Sequence, residues 1–153
     1  MILNSKTLLP KTIYLADDDE DDCTFFAEAL NEIHAEAAFT ICRNGEELMN
    51  LLDKQQQPQP DIIFLDLNMP LKNGYECLKE IRNNTAFKNA PVVIFTTSGL
   101  EEDINIVYGL GATHFATKPT SFDKLKALIF KVINMPWQQG LMQPEREKFV
   151  LSI

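Results

Sequence analysis

The sequence predicts an α/β domain, a doubly wound (βα)5 arrangement around a five-stranded parallel sheet. Three observations carry this. Five short apolar runs recur along the chain, apolar residues at helical spacing fill the gaps between them, and successive runs are centred more than twenty residues apart. A hairpin needs only a short loop. A parallel pair needs a crossover, as a rule a helix, and such crossovers are right-handed.

The first run is Ile13-Tyr14-Leu15-Ala16, and Phe26, Leu30 and Ile33 behind it fall at i, i+4, i+7. Phe39-Thr40-Ile41-Cys42 is the second run, followed by a helix on Leu48, Leu51 and Leu52. A polar loop, Gln55-Gln56-Gln57-Pro58-Gln59-Pro60, leads into the third run, Ile62-Ile63-Phe64-Leu65. Tyr75, Leu78 and Ile81 mark the third helix, and Val92-Val93-Ile94-Phe95 the fourth run. The weakest helix lies between Leu100 and Tyr108, anchored on Ile104, Val107 and Tyr108 and closed by Gly109 and Gly111. The weakest strand is His114-Phe115-Ala116. The last helix carries Phe122, Leu125, Leu128, Ile129 and Val132, with Ser121 as its N-cap and Met135-Pro136 as its stop. Three of the runs are continuously apolar, which suits strands covered on both faces.

Residues 1–10 are then a lead-in, 11–133 the domain, and 134–153 an arm or short extra helix starting near Pro144, too short for an output domain. The 153 residues are 45% hydrophobic and 24% charged, as in an ordinary globular domain, with a net charge of −8. Most of that charge sits in one run, Asp17 to Asp22, and the rest of the chain is near neutral. The acidic balance excludes a basic groove for nucleic acid and a polybasic membrane anchor. Cys23, Cys42 and Cys77 form no CxxC pair, and His34 and His114 stand alone, so no zinc spacing exists. Reduced thiols, the lack of a leader and the lack of a long apolar stretch place the expectation in the cytoplasm, away from membranes.

Functional groups of open parallel sheets collect at the carboxyl ends of the strands. The first strand ends in Asp17-Asp18, the third in Asp66, the fourth in Thr96-Thr97 and the fifth in Lys118-Pro119. Three carboxylates in one crevice need a neutralising charge. With no soft ligand at hand, a hard divalent cation such as Mg2+ fits. A carboxylate also serves as a nucleophile that becomes an aspartyl-phosphate. Lysine and threonine then suit the phosphoryl oxygens. The bland readings are that the acidic run complements a helix N-terminus, Asp66 is a turn residue, Thr96 a strand residue, Lys118 a loop cation and Phe115 core.

In order and spacing, Tyr14-Leu15-Ala16-Asp17-Asp18-Asp19, Ile63-Phe64-Leu65-Asp66-Leu67-Asn68-Met69-Pro70, Val93-Ile94-Phe95-Thr96-Thr97-Ser98 and Phe115-Ala116-Thr117-Lys118-Pro119 resemble the receiver domain of two-component response regulators, over roughly residues 11–133. The resemblance implies a flavodoxin-like strand order, 2-1-3-4-5. It implies Asp66 as phosphoacceptor and a Mg2+ (or Mn2+) site of Asp17, Asp18, Asp66 and the main-chain carbonyl of Asn68. It implies Lys118 as partner of the phosphate, Thr96 and Phe115 as the switch pair, and Pro119 as a structural proline after a cis bond. Asn68, Thr97 and Ser98 match positions that tune phosphate lifetime, and Thr97 as a shield implies a moderate one. The implied partners are a sensor histidine kinase or histidine phosphotransfer protein upstream and a protein target downstream. The target's surface would be the fourth helix, fifth strand and fifth helix. The chain is expected as a monomer or homodimer, with the arm joining two copies or else packed on its own domain or disordered.

Three other readings are weaker. A Mg2+-dependent phosphatase of the haloacid-dehalogenase type needs an acid where Asn68 stands. A flavodoxin-like electron carrier needs a hydroxyl- and glycine-rich loop where the acidic run lies. A degenerate receiver serving only as a binding module would lack some of the key positions, all of which are present.

Overall fold

The computed structural model describes residues 9–54, 59–137 and 143–153. Of the expected lead-in and polar loop, residues 1–8 and 55–58 therefore lie outside the described residues, as do residues 138–142 of the arm.

Five strands and their helices alternate as the apolar pattern predicts. They run β1 Thr12–Ala16, α1 Glu20–His34, β2 Ala38–Cys42, α2 Gly45–Asp53, β3 Ile62–Leu65, α3 Gly74–Asn83, β4 Val92–Thr96, α4 Glu101–Gly109, β5 His114–Thr117 and α5 Phe122–Ile133, with a short α6 at Arg146–Phe149. The sheet order is β2-β1-β3-β4-β5, and every pairing is parallel. β3 and β4 are buried at every position, which is why their sequences are continuously apolar. β2, on one edge, is largely open, and its alternation of exposed and half-buried residues matches its mixed sequence.

Side chains alternate across the pleat and build two cores. Ile63, Leu65, Ile94 and Phe115 face the layer of α2, α3 and α4, meeting Leu48, Leu78 and Val107. Ile13, Leu15, Phe64 and Phe95 face α1 and α5, meeting Phe26, Leu128 and Ile129. Phe26 is the hub of the second core, stacked on Phe39 at 5.5 Å and edge-on to Phe64 at 4.8 Å.

The helix starts explain how each crossover enters at a fixed place. Asp19 caps α1 by accepting from Asp22 N, Asn73 and Glu76 form a reciprocal capping box on α3, and Ser121 caps α5 as its sequence predicts. α4 starts at Leu100 without a side-chain cap and buries only Ile104 and Val107 of its own residues. It is the least secured helix of the sheet's covering layers, in line with its weak pattern.

The arm lies on its own domain. Val150 forms a parallel bridge with Phe115, so the chain adds one rung to the free edge of β5. Phe149 is fully buried, and its ring meets Tyr108 of α4 at 4.9 Å and Phe115 of β5 at 6.5 Å.

Candidate functional site

Because all five strands point the same way, their carboxyl ends share one edge, and the polar residues that follow them meet there. Backbone bonds between neighbouring strand ends hold the edge together: Asp66 N donates to Ala16 O at 3.0 Å, and Asp17 N to Cys42 O at 2.9 Å. Lys118 N donates to Thr96 O at 2.7 Å, joining the fourth and fifth strand ends.

Lys118 is the centre of the arrangement. Its Nζ lies 2.7 Å from Asp17 Oδ2, 2.8 Å from Asp22 Oδ2 and 3.2 Å from Asp66 Oδ2. One ammonium facing three carboxylates leaves net negative charge in a half-enclosed crevice. Burial lowers the lysine's affinity for its proton, but the carboxylates overcome this and hold it well above the ordinary range. Burial pushes Asp17 up to about 6, against the pull of Lys118 and of the Asp19 backbone N–H, which donates to its Oδ1 at 2.9 Å. Asp17 is fully buried, Asp66 nearly so, and Asp18 is open to solvent.

Asp66 is oriented by its own loop. Its Oδ1 accepts from Leu67 N at 2.8 Å and, at 3.4 Å, from Asn68 N, which leaves Oδ2 toward Lys118. The loop then turns sharply: Lys72 N donates to Pro70 O at 2.7 Å around Leu71, whose φ of 67° is left-handed. Gly74 closes it, donating to Leu67 O at 3.0 Å. A Cβ at Gly74 would lie 2.3 Å from Asp66 O, so any larger residue would push the loop beneath the carboxylate out of place.

One oxygen each of Asp17, Asp18 and Asp66 lies within 4.8 Å of the others. Three hard, anionic oxygen donors, one of them on the solvent side, fit a divalent cation of the Mg2+ class that keeps part of its water. Thr96 is fully buried, and its Oγ1 has no hydrogen-bond partner among the described residues. A buried hydroxyl left unpaired costs stability unless something else meets it.

The predicted site residues are thus brought to one edge, with Thr97 and Asn68 exposed and Ser98 half-buried around them. Phe115 is different: it lies fully buried under Phe149 rather than at the rim. One expectation is corrected. No described residue follows a cis peptide bond, so the bond before Pro119 is trans. The trans isomer is the ground state of such bonds, and every contact of Lys118 is made with it in place. Asp22 is a site residue that sequence reasoning missed. Its place in the first turn of α1 faces Lys118, whereas its neighbour Asp21 is exposed.

A parallel sheet with an acid pair, a third acid, a buried threonine and a lysine at consecutive strand ends defines a phosphoacceptor domain of the receiver class. Residues 13–130 match the response regulator receiver domain, and the chain belongs to that family. Response regulator Rcp1 of Synechocystis is 35% identical over 124 residues, which cover 78% of this chain and 84% of that protein. The Mn2+-bound crystal structure of Rcp1 superposes with a TM-score of 0.75 at 32% identity, over 88% of this chain and 99% of that one. The phosphorylated cyanobacterial phytochrome response regulator RcpA superposes with a TM-score of 0.78 at 30% identity, over the same shares. A probable cyclic di-GMP phosphodiesterase of Vibrio cholerae is 30% identical, but the match spans only 25% of that protein. The domain is therefore a signalling receiver of two-component phosphorelay. Among the described residues no helix is long and apolar enough to cross a membrane.

Proposed function

We propose that the chain takes a phosphoryl group from a phosphohistidine, on a sensor histidine kinase or histidine phosphotransfer protein, onto Asp66. One observation carries the assignment. Among the three clustered acids only Asp66 has one oxygen fixed by two backbone N–H groups of its own loop, the other turned to Lys118, and some access to solvent. Asp17 is held by one backbone N–H and by Lys118 but is wholly buried, and Asp18 is exposed. In the transfer a carboxylate oxygen of Asp66 bonds to phosphorus as the phosphorus–nitrogen bond breaks, and the imidazole leaves. Later attack by water returns carboxylate and inorganic phosphate.

Asp17, Asp18, Asp66 and the carbonyl of Asn68 would hold Mg2+ or Mn2+, which when bound neutralises charge on the phosphoryl oxygens. Lys118 supplies the second positive charge from within the crevice. The unpaired Thr96 hydroxyl is a ready donor to a phosphoryl oxygen, and Phe115 on the neighbouring strand follows its movement. Asn68, Thr97 and Ser98 flank the group and set how easily water reaches it. Pro119 shapes the loop that carries Lys118. The domain's chemistry is confined to its own phosphorylation and dephosphorylation. Its output is a protein-binding surface on α4, β5 and α5, in the cytoplasm, and the chain acts as a monomer or homodimer.

Intact-mass measurement after incubation with acetyl phosphate tests this. A single phosphoryl adduct is expected with Mg2+, and none with chelator or in Asp66→Asn. An unaltered mass after incubation with a phosphorylated kinase as well would leave only a protein-binding module. Sustained release of phosphate at high turnover would point instead to a phosphatase.

A further inference from the structure

Residues 143–151 cross α4 and β5 of the proposed output face, and Ser152 beside them meets α5. Arg146 pairs with Glu101 at 2.6 Å and donates from Nε to Asn105 Oδ1 at 3.0 Å, both on α4. Gln143 Nε2 donates to Tyr108 O and Ala112 O, each at 2.8 Å, satisfying carbonyls at the end of that helix. Tyr108 Oη donates back to Pro144 O at 2.9 Å. The segment then drops onto β5. Phe149 fills the space between Tyr108 and Phe115, its carbonyl lies 3.0 Å from Nδ1 of buried His114, and Leu151 N donates to Phe115 O at 2.7 Å. Lys131 of α5 closes the far end by donating to Ser152 O at 2.6 Å.

Two features tie this segment to the phosphorylation site. Phe115 touches it twice, through its ring and through its carbonyl, so Phe115 cannot move without disturbing Phe149 or the Leu151 bond. The helix most covered by the segment is α4, which has no side-chain cap and only two buried residues of its own. A helix with few internal anchors is the element that local free energy lets move first.

We infer that residues 143–151 are an intramolecular latch that closes the α4–β5 face in the unphosphorylated protein and is released when Asp66 is phosphorylated. The inference rests on the phosphoacceptor reading. Thr96 turning to the phosphoryl group draws on Phe115, and the latch loses its aromatic seat and its strand bond together. The face it uncovers fits a partner segment of the same chemistry: extended backbone to pair with the edge of β5, an aromatic side chain for the vacated seat, and a cation to meet Glu101. Coupling of this kind is reciprocal, so loosening the latch favours the phosphorylated form by the same factor.

Hydrogen exchange of the full chain, read by mass spectrometry with the phosphoryl adduct quantified in the same sample, tests the latch. With acetyl phosphate and Mg2+, exchange at residues 149–152 should rise about tenfold while the β1, β3 and β4 amides stay protected. Arg146→Glu, which repels Glu101 without opening the core, should already show fast exchange there before phosphorylation and should gain the adduct several-fold faster. A full adduct with unchanged exchange at residues 149–152 would overturn the latch. So would protection that rises with protein concentration, since a second copy would then be closing the face. No adduct with acetyl phosphate or with a phosphorylated kinase would bring down the phosphoacceptor reading, and the latch with it.

Discussion

Asp17 shows how the site trades stability for charge. It is fully buried with its Oδ2 against a single ammonium that two other carboxylates share. Burial, the larger influence, raises it to about 6 from 3.8. The folded protein thus binds this proton more tightly than the unfolded chain does. The resulting stability is fully present below the unfolded value of 3.8 and is lost as pH rises through about 6. At neutral pH the ionised carboxylate is a net burden on the order of 2–3 kcal/mol, since each tenfold change in proton affinity is worth about 1.4 kcal/mol. Asp17→Asn should therefore stabilise the chelator-treated protein at pH 7 by about 1–3 kcal/mol in urea denaturation, with the gain shrinking toward pH 5. Added Mg2+ should stabilise the wild type and leave the variant unmoved. A variant less stable than wild type at pH 7 would show that Lys118 outweighs burial.

At the scale of elements, the strands were legible because each is short and largely apolar and all but β2 are followed by a candidate functional residue. β3 and Asp66 can be read together from Ile62 to Asp66, since burial on both faces demands the run and the strand's carboxyl end exposes what comes next. What holds the elements to one another was not legible. Arg82 on α3 is one cation among many in the sequence. Yet its guanidinium donates to Gly111 O at 2.8 Å, Ala90 O at 2.7 Å, Lys88 O at 3.1 Å and Thr113 Oγ1 at 3.4 Å. It ties α3 to the loops before β4 and β5. Its partners are mostly backbone carbonyls from distant segments, and no side-chain pattern announces them. Arg82→Ala strands these acceptors in a half-buried place and should cost about 2–4 kcal/mol of unfolding free energy, measurable by thermal or urea denaturation. A loss below about half a kcal/mol would mean water replaces the guanidinium freely. Asp22 was hidden for a related reason. In a run of six acids, only the helical turn of α1 decides which one faces Lys118. The cis bond expected before Pro119 came from resemblance alone, and no feature of the local sequence required it.

For the whole molecule, the parallel sheet turns five separate strand ends into one charged crevice and leaves β5 with a free edge. The crevice could be foreseen from the order of Asp17, Asp66, Thr96 and Lys118. The use of the free edge could not. The arm reaches β5 through one bridge, a buried ring and backbone bonds, and Arg146 to Phe149 is too short for its period to be read. On the proposed reading the same chain carries the acceptor at one end of the sheet and a cover along its side, and Thr96 and Phe115 join the two.

Asp66 as the acceptor is the central proposal, and the most direct measurement of it is chemical. Borohydride reduces an acyl phosphate to the alcohol, converting the acceptor aspartate to homoserine. Peptide mass mapping of the phosphorylated, reduced protein should find homoserine at position 66 and aspartate at positions 17, 18 and 22. Conversion at any of those three in place of Asp66, or an adduct that survives reduction unchanged, would contradict it.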